Sequence, residues 1–121
     1  MKVAVPAMGE SGYDENISDH FGRCKTFAIY DTEEEDLSFI PNNSKHMGGK
    51  GNPPELLAEE NIDLMLCANL GRKAVSLFEE LGIDVYCGAG GTIEDALDSW
   101  DDDQLREASV SDACEEGRHD H

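Results

Sequence analysis

Residues 62–68 form an almost unbroken apolar run of strand length, and Ala74, Leu77, Phe78 and Leu81 follow at i, i+3, i+4 and i+7 before Gly82. The run has the profile of a strand covered on both faces, and the spacing that follows is the stripe of an amphipathic helix with a glycine stop. The same unit then repeats. Residues 83–87 predict a strand and 88–91 a tight glycine-rich loop. Thr92 with Asp95 resembles a capping box that uses Asp in place of Glu, and Ile93, Ala96, Leu97 and Trp100 give the next helix its stripe. Strand–helix–strand crossovers produce parallel neighbours, so this half of the chain commits it to an α/β fold.

The other half adds a hairpin. Residues 2–6 alternate Val3 and Val5 with smaller residues and reach Pro6, the profile of a short opening strand. A long polar and glycine-rich loop covers 7–19, and 26–31 and 37–41 are strand-like runs joined across the acidic segment 32–36. After a second polar loop, Asn52 before Pro53 and Pro54 marks a helix start, with the helix running to about Glu60. The expected architecture is a single-domain α/β fold with a mixed β-sheet of about five strands and three helices. A chain of 121 residues suits one core. Helical periodicity fails beyond Asp101, dividing the chain into a domain over 1–101 and an acidic, Cys/His-containing C-terminal tail over 102–121, weakly ordered without a ligand. No apolar stretch is long enough to span a bilayer and no signal peptide is evident, so the expected location is the cytoplasm, away from membranes.

Charge narrows the function. Against 27 Asp and Glu stand 9 Lys and Arg, a formal net charge of −18 that repels phosphate backbones and excludes nucleic acid as a partner. Six of the basic residues nevertheless fall in three short segments beside predicted loops: Arg23 and Lys25, Lys45 and Lys50, Arg72 and Lys73. If these converge, an acidic protein holds one locally basic pocket. In an open sheet, ligands favour the edge where parallel strands end and helices begin. Gly71, Gly90 and Gly91 lie at two such helix starts, where backbone N–H groups can meet an anion.

Metal-ligating residue types cluster in three places. His20 and Cys24 lie four apart in Ile17-Ser18-Asp19-His20-Phe21-Gly22-Arg23-Cys24, and imidazole and thiolate are both iron ligands. Lys45-His46-Met47-Gly48-Gly49-Lys50 adds a softer set. Cys114, His119 and His121 gather in the tail, a composition suited to zinc or nickel. The four cysteines contain no CxxC pair and are expected as thiols or metal ligands, with Cys67 and Cys87 buried in strands. The P-loop, GxSxG and HExxH signatures of common enzymes are absent.

The opening strand, the segment from Ile17 to Cys24 running into Phe27-Ala28-Ile29-Tyr30-Asp31, Ile62-Asp63-Leu64-Met65 before Asn69-Leu70-Gly71, and Leu81-Gly82-Ile83-Asp84-Val85-Tyr86 before Gly90-Gly91-Thr92 together resemble the dinitrogenase iron-molybdenum cofactor biosynthesis family. The resemblance covers roughly residues 1 to 100, and His-Phe-Gly after a polar loop is its most specific element. It implies a ribonuclease-H-like core and a small non-enzymatic carrier or chaperone of an iron-sulfur or iron-molybdenum-type cluster or its precursor. Cluster-assembly or acceptor proteins would be its partners. His20 matches the histidine proposed in that family as a cluster ligand, with Cys24 following in the same motif and Arg23 offsetting the cluster's charge. Two rival readings come from other classes: an acidic regulatory or interaction protein whose divalent-metal sites are incidental, and a magnesium-dependent hydrolase using Asp and Glu.

Overall fold

The computed structural model describes residues 1–19, 21, 24–42 and 53–108. Six strands and three α-helices follow one another as β1 (Lys2–Ala7), β2 (Thr26–Asp31), β3 (Asp36–Pro41), α1 (Pro53–Glu59), β4 (Leu64–Cys67), α2 (Arg72–Glu80), β5 (Asp84–Cys87), α3 (Ile93–Asp101) and β6 (Arg106–Ala108), with a short 3-10 helix at Gly12–Asp14. All six strands form one sheet in the order β3-β2-β1-β4-β5-β6. β1, β4 and β5 run parallel, whereas β2 is antiparallel to β1, β3 to β2 and β6 to β5. The mixed α/β sheet and three helices are as expected, with one strand more than anticipated.

Hydrophobic alternation decides which side each helix covers. Ala4, Phe27, Ile29, Met65, Cys67 and Val85 face one side of the sheet, where Leu57 of α1 and Val75 and Phe78 of α2 pack against them. Val3, Val5, Ala7, Ala28, Leu64 and Leu66 face the other, covered by Ile93 and Ala96 of α3. The central strands β1 and β4 are therefore buried on both faces, which is why they read as apolar runs. In α2 the buried pair is Val75 and Phe78; Leu81, counted in the helical stripe, is 40% exposed because it caps the helix beside the turn at Gly82.

All three helices end the same way. A left-handed residue follows each one (Asn61, Gly82, Asp103), and the next backbone N–H reaches back to the helix: Ile62 to the Leu57 carbonyl, Ile83 to Phe78, Gln104 to Ser99. These are Schellman closures, and in the first two the returning isoleucine is itself a core residue.

Two sequence expectations change. Pro6 does not end β1, which continues to Ala7; the residue lacks an N–H, but its carbonyl accepts a 2.8 Å bond from the Ser18 backbone N–H. The boundary after Asp101 marks the end of α3 but not of the sheet. Arg106–Ala108 pairs antiparallel with β5 as a three-residue edge strand, held by backbone register rather than by an apolar pattern.

Candidate functional site

The antiparallel placement of β2 gives this fold its chemically distinctive edge. β1, β4 and β5 end there at Ala7, Cys67 and Cys87; β2 begins there, with Thr26 opposite Ala7; β3 ends there, and β6 starts there with Arg106 opposite Cys87. Ser18 and Cys24, which flank the His-Phe-Gly motif, lie at this edge.

The approach to the motif is pinned from two sides. The Ser18 N–H donates to the Pro6 carbonyl at the end of β1, and the Ile17 N–H donates 3.0 Å to the Gly91 carbonyl in the loop before α3. Upstream, the loop expected to be long and open is folded on itself. The Glu15 carboxylate accepts from the Ser11 and Asn16 backbone N–H groups, both at 3.0 Å, and these bonds hold its pKa below the ordinary value. Thr26 Oγ1 donates 2.7 Å to the Gly9 carbonyl, tying this loop to the start of β2.

His20, Gly22 and Arg23 lie outside the described residues, but the anchors between and after them are defined. The Phe21 ring packs on Phe27 and Phe78 with centroid separations of 5.7 and 5.3 Å, so the motif's aromatic residue is a plug in the α1/α2 core. Cys24 is 2% exposed. Its thiol donates to the Phe21 carbonyl at 3.2 Å, and Asn42 Nδ2 donates to the Cys24 carbonyl at 2.9 Å. Burial pushes the Cys24 thiol up to about 12, against smaller lowering contributions from hydrogen bonds including that of the Ala7 backbone. As placed, Cys24 is a protonated thiol that closes the turn around Phe21, whereas a metal ligand must be an accessible thiolate.

The other cysteines divide similarly. Cys67 is buried with a free thiol, also pushed up to about 12 by desolvation. Cys87, the last residue of β5, is buried as expected, but it is disulfide-bonded rather than a free thiol. Cys114, His119 and His121 of the tail, and Lys45, His46 and Lys50 of the second polar loop, lie outside the described residues.

The two glycine-rich helix starts differ. At α3, Thr92 and Asp95 form the anticipated capping box (Asp95 N–H to Thr92 Oγ1 at 3.2 Å, Thr92 N–H to Asp95 Oδ2 at 3.1 Å), and the Ile93 N–H donates to the Glu15 carbonyl. Gly91 serves that turn: its φ is +80°, and a Cβ there would run into the Asp95 carboxylate. Gly91→Ala should therefore cost about 2 kcal/mol through backbone strain and a disturbed cap, read as a lowered thermal midpoint. Gly90 faces open space. At α2, by contrast, Gly71 is the N-cap, no side chain caps the helix and no acidic residue lies in its first turn, so its dipole remains available to an anion.

Charge is sorted along the strands. Of the five lysines and arginines among the described residues, Lys25, Arg72, Lys73 and Arg106 lie at this edge, all exposed, and only Lys2 lies at the other. The opposite end collects Glu33, Glu34 and Glu35 in the β2–β3 turn, Glu60 after α1, Asp102 and Asp103 after α3, and Glu59, Glu79, Glu80 and Asp101 at the helix ends, while Glu15, Asp19, Glu94 and Asp95 share the basic edge. The described members of the three basic segments, Lys25, Arg72 and Lys73, thus share one edge of the sheet. Arg106 joins them unannounced, because β6 carries no sequence signal. Among the described residues no three His, Cys, Asp or Glu side chains are grouped to hold a metal ion, and no helix is long and apolar enough to cross a membrane.

Comparison with known proteins agrees with this picture. The family model described as dinitrogenase iron-molybdenum cofactor matches residues 1–103. An uncharacterized protein of Methanocaldococcus jannaschii is 34% identical over 103 residues, covering 80% of this chain and 82% of that protein. The apo form of the orange protein from Desulfovibrio gigas shares the fold with a TM-score of 0.78 at 24% identity, over 88% of this chain and 92% of that one. The NMR structure of a Thermotoga protein described as a candidate NifB protein of the DUF35 family gives 0.71 at 25% identity, over 88% and 91%. With a family model spanning nearly all of the described sheet, and a relative aligned along most of both chains, this protein belongs to the dinitrogenase iron-molybdenum cofactor family.

Proposed function

We propose that the chain is a small non-enzymatic carrier or chaperone for an anionic iron-sulfur or iron-molybdenum-type cluster, or a precursor of one, which it takes from and passes to cluster-assembly or acceptor proteins. The observation that carries this reading is the placement, along one sheet edge of a strongly acidic protein, of Lys25, Arg72, Lys73, Arg106, the uncapped start of α2 and the Cys24 turn that follows the His20 motif. Membership of the family supports the cargo class, and the orange protein, described in an apo form, supports the idea of a fold that accommodates a ligand.

In this reading His20 is the ligand. Arg23 and the cations at the edge offset the cargo's charge, and Gly71 lets it approach the backbone. Cys24 acts first as the closure of the turn, and joins His20 as a second ligand only if its thiol leaves the Phe21 carbonyl and ionises. Gly90 and Gly91 contribute shape at the neighbouring loop. The likeness of the core to ribonuclease H belongs to the same reading, supported by the mixed sheet with its antiparallel second strand. His119 and His121 form a separate zinc or nickel site in the tail, which Cys114 joins when its thiol is free.

The test is anaerobic reconstitution with iron and sulfide, followed by gel filtration and analysis of both elements in the protein peak. His20→Ala should lose most of the retained iron and sulfide while keeping the wild-type circular dichroism spectrum. Removing residues 118–121, which takes both tail histidines and spares Cys114, should leave that retention intact and abolish only zinc or nickel uptake. Full retention by His20→Ala would remove the histidine from the site. Loss of the cluster on tail truncation would show that the two sites are one.

A further inference from the structure

On the α3 side of the sheet lies a cavity of about 650 Å³ that runs along the helix from Glu94 in its first turn to Asp101 in its last, beside Met1 and Thr32 at the acidic end. Its lining includes the rings of Tyr13, Tyr30 and Trp100 and the carboxylates of Glu94, Asp98 and Asp101. Tyr13 and Tyr30 meet edge-on with centroids 6.4 Å apart, which sets two ring planes at a steep angle along one wall. The volume falls within the range of small-molecule sites.

The three carboxylates stand at i, i+4 and i+7 of α3, a spacing that places them in a row on one helix face, with rises of about 6 and about 4.5 Å between them. Their placement is unfavourable in the protein alone. Like charges four residues apart repel, Asp98 and Asp101 lie toward the negative end of the helix dipole, no basic residue occupies the last turn, and none of the three forms an ion pair among the described residues. Burial and the neighbouring charges of Tyr13, Glu35 and Asp101 push the Tyr30 phenol above its ordinary value, keeping that ring neutral beside them.

A ligand for this cavity must be positively charged, must present apolar surface to aromatic rings, and must spread its charge over several ångströms. A single hard metal ion fails the last two requirements, since it needs oxygen ligands closed around one point, and no such grouping occurs among the described residues. Ammonium groups separated by short methylene chains satisfy all three: each ammonium meets a carboxylate in the row, and the cationic methylenes lie against the rings. We propose that this cavity binds an alkyl polyamine, at a site separate from the basic edge.

Trp100 is the only tryptophan in the chain, so its fluorescence reports on the cavity directly. Titration with spermidine at about 0.15 M salt should give a saturable change at one equivalent, whereas butylamine and magnesium ion at matched charge should not. Glu94→Gln and Asp98→Asn should each weaken spermidine about tenfold, or about 1.4 kcal/mol. Asp98→Asn relieves repulsion within α3, whereas Glu94→Gln also removes a first-turn charge that the helix dipole favours, so an unchanged or raised midpoint for the former and at most a small fall for the latter would separate lost affinity from lost fold. The proposal is overturned if magnesium reproduces the spermidine signal, if both variants bind as the wild type does, or if a lysine-rich peptide saturates the signal where spermidine does not.

Discussion

Phe78→Ala should destabilise the protein by about 3–5 kcal/mol, visible as a fall in the urea midpoint with little change in slope. Phe78 is fully buried at the centre of the α1/α2 core and contacts the Phe21 ring edge-on. Its removal opens a cavity beneath α2 and strips an aromatic contact worth about a further 1 kcal/mol. Set against the roughly 5–15 kcal/mol that holds a domain together, this leaves a marginal fold. Phe21→Ala separates stability from function. Phe21 is only half-buried, so the loss should be smaller, about 2 kcal/mol, but the ring is the plug that seats the His20 motif. Cargo retention should therefore fall further in Phe21→Ala than its stability does. Equal retention by this variant and the wild type would show that the turn is held by Cys24 and Ser18 alone.

Between pH 9 and pH 11 the protein should lose on the order of 5 kcal/mol of stability. The Cys24 and Cys67 thiols titrate at about 12 in the folded chain, against an ordinary value of 9.0. Below pH 9 they are protonated whether the chain is folded or not, and their contribution is complete. As pH rises further, the unfolded thiols ionise while the buried ones cannot, so stability declines until the folded groups titrate near 12. Each raised group gives up about 1.4 kcal/mol per pH unit in that window. The measurement is ΔG of unfolding by urea at pH 8, 9, 10 and 11 under reducing conditions. The Cys24→Ala/Cys67→Ala double variant should show a markedly shallower decline, and an identical slope would locate the alkaline sensitivity elsewhere.

The elements legible in the sequence are those whose side chains carry a period. Residues 62–68 and 83–87 read as strands because both faces are covered, and the stripe of α3 emerges with its Thr92/Asp95 cap intact. β6 escaped detection because Arg106, Glu107 and Ala108 have no apolar alternation; their pairing with β5 is a backbone matter. The left-handed closures at Asn61 and Asp103 were equally silent, since asparagine and aspartate occur in many turns, whereas Gly82 announced itself. At the candidate site, residue chemistry suggested His20 and Cys24 as a pair. For Cys24 the structure adds a packing role, because nothing local in the sequence reveals that its thiol points to the Phe21 carbonyl or that Asn42, eighteen residues on, reaches the Cys24 carbonyl. Phe21 itself was legible only as part of a motif and not as a core residue, since its partners Phe27 and Phe78 come from β2 and α2.

The sorting of charge along the strands resolves an apparent contradiction between a net charge of −18 and an anionic cargo. Six residues of β1 separate the basic edge from the acidic end, a span of about 20 Å at the usual strand rise. At physiological ionic strength the screening length is about 8 Å, so the carboxylates at the acidic end act only weakly on Lys25, Arg72, Lys73 and Arg106. The sheet therefore works as an electrostatic spacer: under the proposed function a cluster at close range meets the cations of the edge and the few carboxylates beside them, while at long range, and in dilute salt above all, it meets the repulsion of the whole molecule.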